Sequence, residues 1–195
     1  MSPPRYKDPL ELIKKSLKKA NRRRLKLPHA MALASLDKQG RPTCRMMLLK
    51  GTDERGFVFY TNLKSRKALG LRARPQAALL FWWAELDEQI RVEGGIEEIS
   101  KEEADAYFAT RPRGSQIGAW ASLQSHPLPS RNRLLQAFKK YAKRFRNTVP
   151  RPPFWSGYRV IPKRIEFWKS RPDRLHERVL YERSKKRWTR KLLYP

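Results

Sequence analysis

The sequence predicts a mainly antiparallel β domain, a barrel with its helices packed outside. Short apolar segments separated by polar turns follow one another along the chain, which is typical of sequential antiparallel strands. Helical patterns occur at the start and between those segments. A chain of 195 residues with 11% aromatic residues can bury the core of one sizeable domain. An open antiparallel sheet covered on one face is the alternative.

The first predicted element is a helix that ends before Pro28. Asp8 suits the N-cap, Pro9 suits the first turn, and Glu11 lies three residues after the cap. Apolar residues then recur at helical spacing on one face, namely Leu10, Ile13, Leu17 and Ala20.

Three strands joined by polar turns are predicted next. The apolar segments 30–36, 43–50 and 57–61 are separated by the turn-forming residues of 37–40 and 52–56. The first third of the chain is therefore predicted to be a helix followed by an antiparallel meander.

The middle of the chain alternates helix starts with strands. Ser65 suits the cap of a short helix, and Ser100 with Glu103 forms a capping box before another. Segment 76–83 is strongly apolar, whereas 89–94 alternates polar and apolar residues as a half-buried strand does.

A basic helix is predicted from Ser130 to about Asn147, followed by two closing strands. The residues available for its buried side are Leu134, Leu135, Phe138 and Phe145. The closing strands cover 158–168, in spite of Pro162, and 187–193. Six or more strands are therefore expected in total.

Positive charge is in large excess and unevenly spread. Lys and Arg number 45 against 18 Asp and Glu, which gives a formal charge of +27. Cations cluster at 22–24, 131–146 and 185–187, and no acidic residue lies between Asp105 and Glu166. Two explanations stay open: attraction to polyanions (nucleic acid, acidic lipid headgroups or phosphorylated small molecules) and a solvated basic surface. The second is favoured and no specific nucleic-acid partner is expected, because no signature of a dedicated nucleic-acid-binding fold is present.

Several classes of protein and site are excluded by simple features. No run of about 18 apolar residues exists, so neither a membrane-spanning helix nor a membrane partner is expected. The N-terminus lacks the apolar segment of a secretory signal, so a cytoplasmic location is expected. The single cysteine, Cys44, excludes an intrachain disulfide and a cysteine zinc cluster, and its predicted strand suggests a buried thiol. His29, His126 and His176 lack metal-ligand spacing, so no metal site is expected.

Cations beside hydroxyl groups mark two candidate phosphate sites. Ser65, Arg66 and Lys67 start a helix, where free backbone N–H groups and adjacent cations favour an anion. Segment 111–115 offers two arginines and a serine at another helix start. Segment 174–178 adds two arginines and a histidine which, on a strand, would share one face. Two phosphate sites suit a phosphorylated cofactor and a phosphorylated substrate, and surface charge is the alternative.

Four segments together carry a resemblance to a known family. They are, in chain order, 45–50, 59–67, 111–120 and 174–178. They resemble the motifs of the pyridoxine/pyridoxamine 5′-phosphate oxidase family, and the likeness runs from about Asp8 to Pro195. The resemblance implies a single FMN-binding split β-barrel domain over 8–195 after a short N-terminal extension, 1–7. It also implies a homodimer with FMN at the subunit interface.

The resemblance implies a set of residues for the cofactor. Those expected at FMN are Arg45, Met46, Met47, Leu48, Leu49, Lys50, Tyr60, Thr61, Ser65, Arg66, Lys67, Gln89, Gln124, Ser125, Trp168 and Arg178. Arg45, Arg66 and Lys67 would face its phosphate. Ser65 would join them, and Gln89 would hydrogen-bond to the flavin. The second subunit would supply part of this set. Taken singly, such residues also suit ordinary roles as helix caps, core aromatics or solvated side chains.

The resemblance also implies residues for a small phosphorylated pyridine substrate. Those expected to grip its phosphate are Lys50, Tyr107, Arg111 and Ser115. Those expected at its ring are Arg174, Leu175 and His176. Arg174 and His176 are the expected catalytic residues, the first orienting the ring and the second aiding proton removal.

The implied activity is oxidation of pyridoxamine or pyridoxine 5′-phosphate to pyridoxal 5′-phosphate, with O2 as oxidant and H2O2 as product. Related flavin enzymes of phenazine biosynthesis are one alternative, and segments 111–115 and 174–176 favour the vitamin B6 substrate over it. A flavin-, pyridoxal-phosphate- or polyanion-binding module without oxidase activity is the other. Lid contacts from Arg5 or Tyr6 are not expected, because few residues precede the first helix.

Overall fold

One long strand organises the fold. The computed structural model describes residues 8–185 and 187–195, so the predicted extension 1–7 and Lys186 of the third basic cluster lie outside the described residues. The strands are β1 (Ala30–Leu36), β2 (Pro42–Leu48), β3 (Gly51–Thr52), β4 (Phe57–Asn62), β5 (Gln76–Trp83), β6 (Glu88–Glu98), β7 (Trp155–Lys169), β8 (Glu177–Ser184) and β9 (Arg187–Leu193). The α-helices are α1 (Pro9–Arg22), α2 (Arg66–Ala73), α3 (Lys101–Ala109), α4 (Arg113–Ala121) and α5 (Arg131–Arg144), and short 3-10 turns lie at Ala84–Leu86 and Pro172–Arg174.

The strands form one antiparallel sheet that divides at β7. Its order is β2-β1-β5-β6-β7-β4-β3, with β8 paired to β7 and β9 paired to β8. β7 is 15 residues long. On one side its residues 155–160 pair with β4 and its residues 164–169 pair with β8, while β6 runs along the other side. The sheet therefore curls into a half-barrel, which confirms the predicted mainly β, split-barrel class.

A bulge in β7, where that strand pairs with β6, accommodates Pro162: Lys163 has no partner in the ladder between Pro162 and Arg164. The register between the two strands shifts between Glu93 and Gly94, and Gly94 lies opposite Pro162. Proline has no N–H to donate, so a regular ladder cannot continue there. A Cβ atom at Gly94 would lie 2.0 Å from the carbonyl oxygen of Ile161, so only glycine fits. The prediction that a strand continues through Pro162 is confirmed.

The main core lies between the curled sheet and helices α1 and α2. Its fully buried side chains include Ile13, Met31, Leu33, Phe57, Phe59, Leu71, Leu79 and Phe81. The predicted caps are confirmed: Asp8 accepts a hydrogen bond from the N–H of Leu10, and Ser65 and Ser100 cap α2 and α3. The predicted apolar face of α1 is buried against this core.

A second, smaller core joins α3, α4 and α5 to the first half of β7. Phe108 of α3, Ile117 of α4, Val149 and Trp155 of β7 are buried in it. Because Trp155 contacts Tyr60 of β4, this helical layer is fixed against the sheet beside the first half of β7.

The predicted buried side of α5 needs correction. No residue of α5 is fully buried, and Leu135 is 49% exposed. Phe138 and Phe145 pack on the second core as predicted, and they and Leu134 are half-buried. The helix packs mainly on α4, so its apolar side is covered by a single helical layer.

Two local predictions about side-chain placement were wrong. Segment 174–178 is not a strand: Arg174 belongs to a 3-10 turn, where its φ is +60°, and β8 begins only at Glu177. The side chains of Arg174, His176 and Arg178 therefore do not share one strand face, and β8 itself was not predicted. Cys44 is exposed rather than buried, because β2 is an edge strand whose alternate residues face outward.

The described residues contain neither a membrane-spanning helix nor a metal-ligand cluster. None of the described helices combines the length and apolar character needed to cross a membrane. No three His, Cys, Asp or Glu side chains of 8–185 and 187–195 come together as a metal site.

Candidate active site

A cavity of about 690 Å³ opens between the sheet and the helices α3 and α4. It gathers residues that are far apart in sequence. Of the residues predicted for the cofactor or the substrate, those that line it are Met46, Met47, Leu48, Lys50, Tyr60, Thr61, Tyr107, Arg111, Ser115 and Gln124. The end of β2 and the adjoining β4 form one wall, and α3 with the start of α4 forms the other.

Stacked aromatic rings build the deep wall of the cavity. The rings of Tyr60 and Tyr107 are parallel within 11°, with centroids 3.9 Å apart, and Trp155 stacks on Tyr60 at 5.3 Å. Burial raises the pKa of Tyr60 to about 12, so its phenol stays protonated at neutral pH. The aromatic part of the wall is therefore flat and uncharged, which suits a planar aromatic ligand.

Arg111 places an uncompensated positive charge in this wall. Its guanidinium carbon lies 4.7 Å from the ring centroid of Trp155 and 5.5 Å from that of Phe108. Its Nη1 is buried and finds no hydrogen-bond partner among residues 8–185 and 187–195, and burial lowers the pKa of Arg111. A buried donor without a partner is costly, so the group fits an anion that would accept its hydrogen bonds.

Three cations meet at the start of α2, beside the cavity. Lys67 Nζ donates to Thr61 Oγ1 at 2.7 Å and to Gln124 Oε1 at 3.2 Å. Burial and, after it, the nearby charge of Arg45 lower the pKa of Lys67 to about 8. The pKa of Arg45 is also lowered, first by burial and then by the charge of Arg66.

A single carboxylate offsets part of this charge. Asp37 Oδ2 pairs with Arg66 at 3.3 Å and with Arg41 at 3.0 Å. Arg45 instead donates to neutral oxygens, those of Ser35, Thr43 and Leu33. The cluster therefore keeps an excess of positive charge at a helix start capped by Ser65, an arrangement that fits a phosphate.

A second group of predicted residues lies on β6, β7 and β8, outside the cavity. Gln89 is opposite Trp168 in the ladder, and Trp168 is opposite Arg178. The ring of His176 lies 4.6 Å from that of Trp168. The four residues Gln89, Trp168, His176 and Arg178 are called the strand-end cluster below.

Two hydrogen bonds, to a buried carboxylate and to a carbonyl oxygen near the C-terminus, orient the side chain of Arg178. Its Nε donates to Glu166 Oε1 at 2.8 Å, and its Nη1 donates to the carbonyl oxygen of Tyr194 at 2.9 Å. Glu166 is buried and also pairs with Arg91 at 2.7 Å. The sequence prediction missed Glu166 and Tyr194, because their roles depend on the pairing of β8 with β7 and β9.

His176 has one ring nitrogen already engaged. Its Nδ1 accepts the backbone N–H of Arg171 at 3.2 Å. In the neutral ring the proton therefore sits on Nε2, which makes that atom a hydrogen-bond donor. A donor at Nε2 suits contact with a substrate oxygen better than the predicted removal of a proton.

The remaining predicted residues are placed separately. Arg174 and Leu175 are exposed in the turn before β8, and Leu49 is buried beside β2. Ser125 lines a smaller hollow of about 260 Å³ together with Arg66. Trp155 lines the main cavity and was not predicted as a site residue. Its position two residues after Pro153 was the available signal, because the chain re-enters the sheet there.

Comparison with known proteins fits this site. Residues 17–145 match the family model described as pyridoxamine 5′-phosphate oxidase. The chain belongs to this family. Residues 155–195 match a further model, described as the pyridoxine 5′-phosphate oxidase C-terminal dimerisation region. The second match covers β7, β8 and β9, and so includes most of the strand-end cluster.

Relatives in the pyridoxamine 5′-phosphate oxidase family are similar over most of their length. A pyridoxine/pyridoxamine 5′-phosphate oxidase of Rubrobacter xylanophilus is 53% identical over 189 residues, which are 96% of this chain and 87% of the relative. One of Cupriavidus taiwanensis is 51% identical over 174 residues, 89% of this chain and 82% of the relative.

Solved structures share the fold. PhzG of Burkholderia lata, in complex with tetrahydrophenazine-1-carboxylic acid, has a TM-score of 0.94 and 33% identity, and the match covers 100% of this chain and 95% of PhzG. A pyridoxamine 5′-phosphate oxidase-related, FMN-binding protein of Nostoc punctiforme has a TM-score of 0.77 and 19% identity over the whole of both chains. The split-barrel fold implied by the sequence motifs is thereby confirmed.

Proposed function

We propose that this chain oxidises pyridoxamine 5′-phosphate and pyridoxine 5′-phosphate to pyridoxal 5′-phosphate, with FMN as cofactor and O2 reduced to H2O2. The observation that carries the proposal is a cavity walled by stacked aromatic rings, with Arg111 in its lining and no carboxylate paired with that guanidinium among the described residues. Such a cavity accepts a flat ring that carries an anionic group. The close relatives named for this reaction support the same ligand class. A cytoplasmic location stays a prediction.

The residues at the start of α2 fit the phosphate of FMN. Arg45, Arg66 and Lys67 supply charge, and the helix start supplies free N–H groups. Met46, Met47 and Leu48 of β2 would lie along the flavin in the same cavity. When bound, FMN would supply a two-electron acceptor that O2 can reoxidise.

Substrate orientation falls to Arg111 and its neighbours. Lys50 and Ser115 line the cavity with it and would bind the substrate phosphate together with Tyr107. The Arg111 guanidinium is already stacked on Trp155, so little further ordering is needed on binding. Binding energy gathered at the phosphate then aligns the distant reacting carbon.

A second subunit would complete the site. Gln89, Trp168, His176 and Arg178 do not line the cavity of their own chain. They lie on strands of the region that matches the family's dimerisation model, apart from Gln89 on the adjoining β6. We propose a homodimer with FMN at the interface, where the strand-end cluster of one subunit faces the cavity of the other. Arg174 and His176 would then hold the pyridine ring.

The decisive experiment is a visible spectrum of the full-length protein, loaded with FMN and desalted, before and after anaerobic pyridoxamine 5′-phosphate. The proposal expects a retained flavin spectrum that bleaches with substrate and recovers in air. Retained flavin that does not bleach with either vitamin B6 substrate contradicts the proposed reaction. Loss of the flavin on desalting contradicts the cofactor site.

A second candidate is the oxidation of a phenazine precursor. Its support is the full-length similarity to PhzG at 33% identity. The higher identity to proteins named for the vitamin B6 reaction favours the first candidate. Anaerobic bleaching by tetrahydrophenazine-1-carboxylic acid, without bleaching by pyridoxamine 5′-phosphate, would establish the second candidate instead.

A further inference from the structure

Helix α5 carries a cationic face opposite its packed face. At 100° per residue, Arg133, Lys139, Lys140, Lys143 and Arg144 fall within an arc of about 140°. These five exposed residues are called the α5 basic face. On the opposite side of the helix, Tyr141 and Phe145 pack on Trp120 of α4, with ring centroids 5.6 Å and 5.1 Å away.

The charge of the α5 basic face is not balanced within the chain. In the part of the chain that the structure describes, no ion pair joins any of its five cations to a carboxylate. The sequence contains no acidic residue between Asp105 and Glu166, so none is available from the neighbouring segments. The positive charge is therefore presented to solvent.

The like-charge pairs of the α5 basic face oppose the stability of the helix, whereas the position of Lys143 and Arg144 in the last turn is favoured by the helix dipole. Lys140 has like-charged neighbours at Lys143 and Arg144, and Lys139 has one at Lys143, all at helical contact spacing. Each such pair destabilises a helix by about 0.2–0.5 kcal/mol. Arg131 and Arg133 also lie in the first turn, where the helix dipole disfavours cations and no acidic residue is present. A charge pattern that works against the local structure indicates selection for an interaction.

We propose that the α5 basic face binds the phosphate backbone of double-stranded nucleic acid, without sequence preference and independently of the oxidase reaction. The 14-residue helix is about 21 Å long. A duplex carries one charge per about 1.7 Å of its axis, so several phosphates lie within reach of the five cations.

Two observations favour a duplex over other polyanions. The aromatic side chains Tyr141 and Phe145 of α5 pack on Trp120, so they are not free to insert into a lipid surface and Leu135 alone is a small apolar anchor. The α5 basic face contains no aromatic side chain, so it offers no platform for the bases of a single strand. Contact through the phosphates alone is what these side chains permit.

The test is the salt dependence of binding to a fluorescent duplex DNA of about 20 base pairs, measured with the full-length protein. The variant Lys139→Gln/Lys140→Gln/Lys143→Gln keeps helix propensity and removes three charges. The control Lys18→Gln/Arg22→Gln/Lys26→Gln has the same net charge but changes exposed cations on and after α1. Flavin content, where the protein retains FMN, and the circular dichroism melting curve report whether each variant is folded.

We expect the α5 variant to lose at least roughly tenfold in affinity near 0.1 M salt, and its slope of log K against log salt to fall by about 2.7. The single variant Lys140→Gln should lower that slope by about 0.9. The control should stay within about twofold of the wild type. The proposal is overturned if the α5 variant keeps the wild-type slope, if the control loses as much, or if the wild type binds anionic phosphatidylserine vesicles but not the duplex.

Discussion

At the scale of single residues, Arg111 constrains most strongly what the cavity can hold. Its guanidinium is stacked on Trp155, and its Nη1 has no partner among the described residues. Burial of the guanidinium costs desolvation free energy, and no hydrogen bond to Nη1 offsets this cost until an anion binds. We therefore expect Arg111 to contribute more to ligand binding than to folding.

The variant Arg111→Gln should therefore lose kcat/KM for pyridoxamine 5′-phosphate by roughly 30- to 150-fold, the effect of about 2–3 kcal/mol for a charge-assisted hydrogen bond. Flavin content should be unchanged. The matched control is Arg113→Gln, whose guanidinium donates to the carbonyl oxygens of Asn147 and Arg146 away from the cavity. Equal losses in the two variants would contradict the role assigned to Arg111.

The charge of Lys67 is expected to make FMN affinity depend on pH. Its pKa of about 8 lies below the usual value of a lysine, so it loses its charge as pH rises through that value. FMN affinity should then weaken above about pH 8, by up to about tenfold per pH unit for one linked proton. Titration of flavin fluorescence between pH 7 and 9.5 measures this.

The variant Lys67→Arg tests whether the proton linked to FMN affinity is bound by Lys67 or by another group. Arginine stays charged across the range, so the dependence of FMN affinity on pH should become nearly flat. An unchanged slope in Lys67→Arg would assign the proton to another group.

At the scale of elements, the bulge between β6 and β7 is a point of the sheet that tolerates no added side chain. A Cβ at Gly94 would lie 2.0 Å from the carbonyl oxygen of Ile161, and backbone atoms cannot move aside. Gly94→Ala should lower stability by on the order of 2–4 kcal/mol. The control Gly114→Ala, in α4 with nothing within 4 Å of the added Cβ, should be neutral or stabilising by up to about 1 kcal/mol. The melting temperatures of both variants, measured by thermal unfolding, test this prediction. Equal melting temperatures would contradict the steric argument.

The helix caps could be predicted from the sequence, whereas the exposure and backbone conformation that depend on strand pairing could not. The caps at Asp8, Ser65 and Ser100 act within one helical turn, so the residues themselves reveal them. The exposure of Cys44 depends on β2 being an edge strand, and the turn at Arg174 depends on how the chain enters β8. Both are consequences of strand pairing between distant segments, which periodicity does not contain.

The residues of the candidate site, too, could be predicted from the sequence only in part. Sequence motifs placed Lys50, Tyr107, Arg111 and Ser115 together, and the structure brings them into one cavity. They did not reveal Trp155, which stacks on Arg111, or Glu166, which holds Arg178. Those contacts arise from the two halves of β7, whose different neighbours become visible only once the sheet is assembled.

At the scale of the whole molecule, the predicted site residues form two groups that do not meet within one chain. The cavity contains Arg111, and the turn beside the strand-end cluster contains Arg174. In a homodimer with a two-fold axis, the cavity of each subunit would face the strand-end cluster of its partner. Two complete sites would form in this way. Each complete site would then need one intact cavity from one subunit and one intact strand-end cluster from the other.

Subunit mixing tests this arrangement directly. Arg111→Ala and Arg174→Ala should each abolish most of the activity as homodimers. When the two variants are co-expressed with different tags, about half of the dimers are mixed, and each mixed dimer contains one undamaged site and one that is damaged twice. Activity should therefore recover to about a quarter of the wild-type value in the mixture, and to about half in mixed dimers purified through both tags. If cavity and ring-binding residues instead belong to the same subunit, every site in the mixed dimer carries one damaged group, and no activity returns.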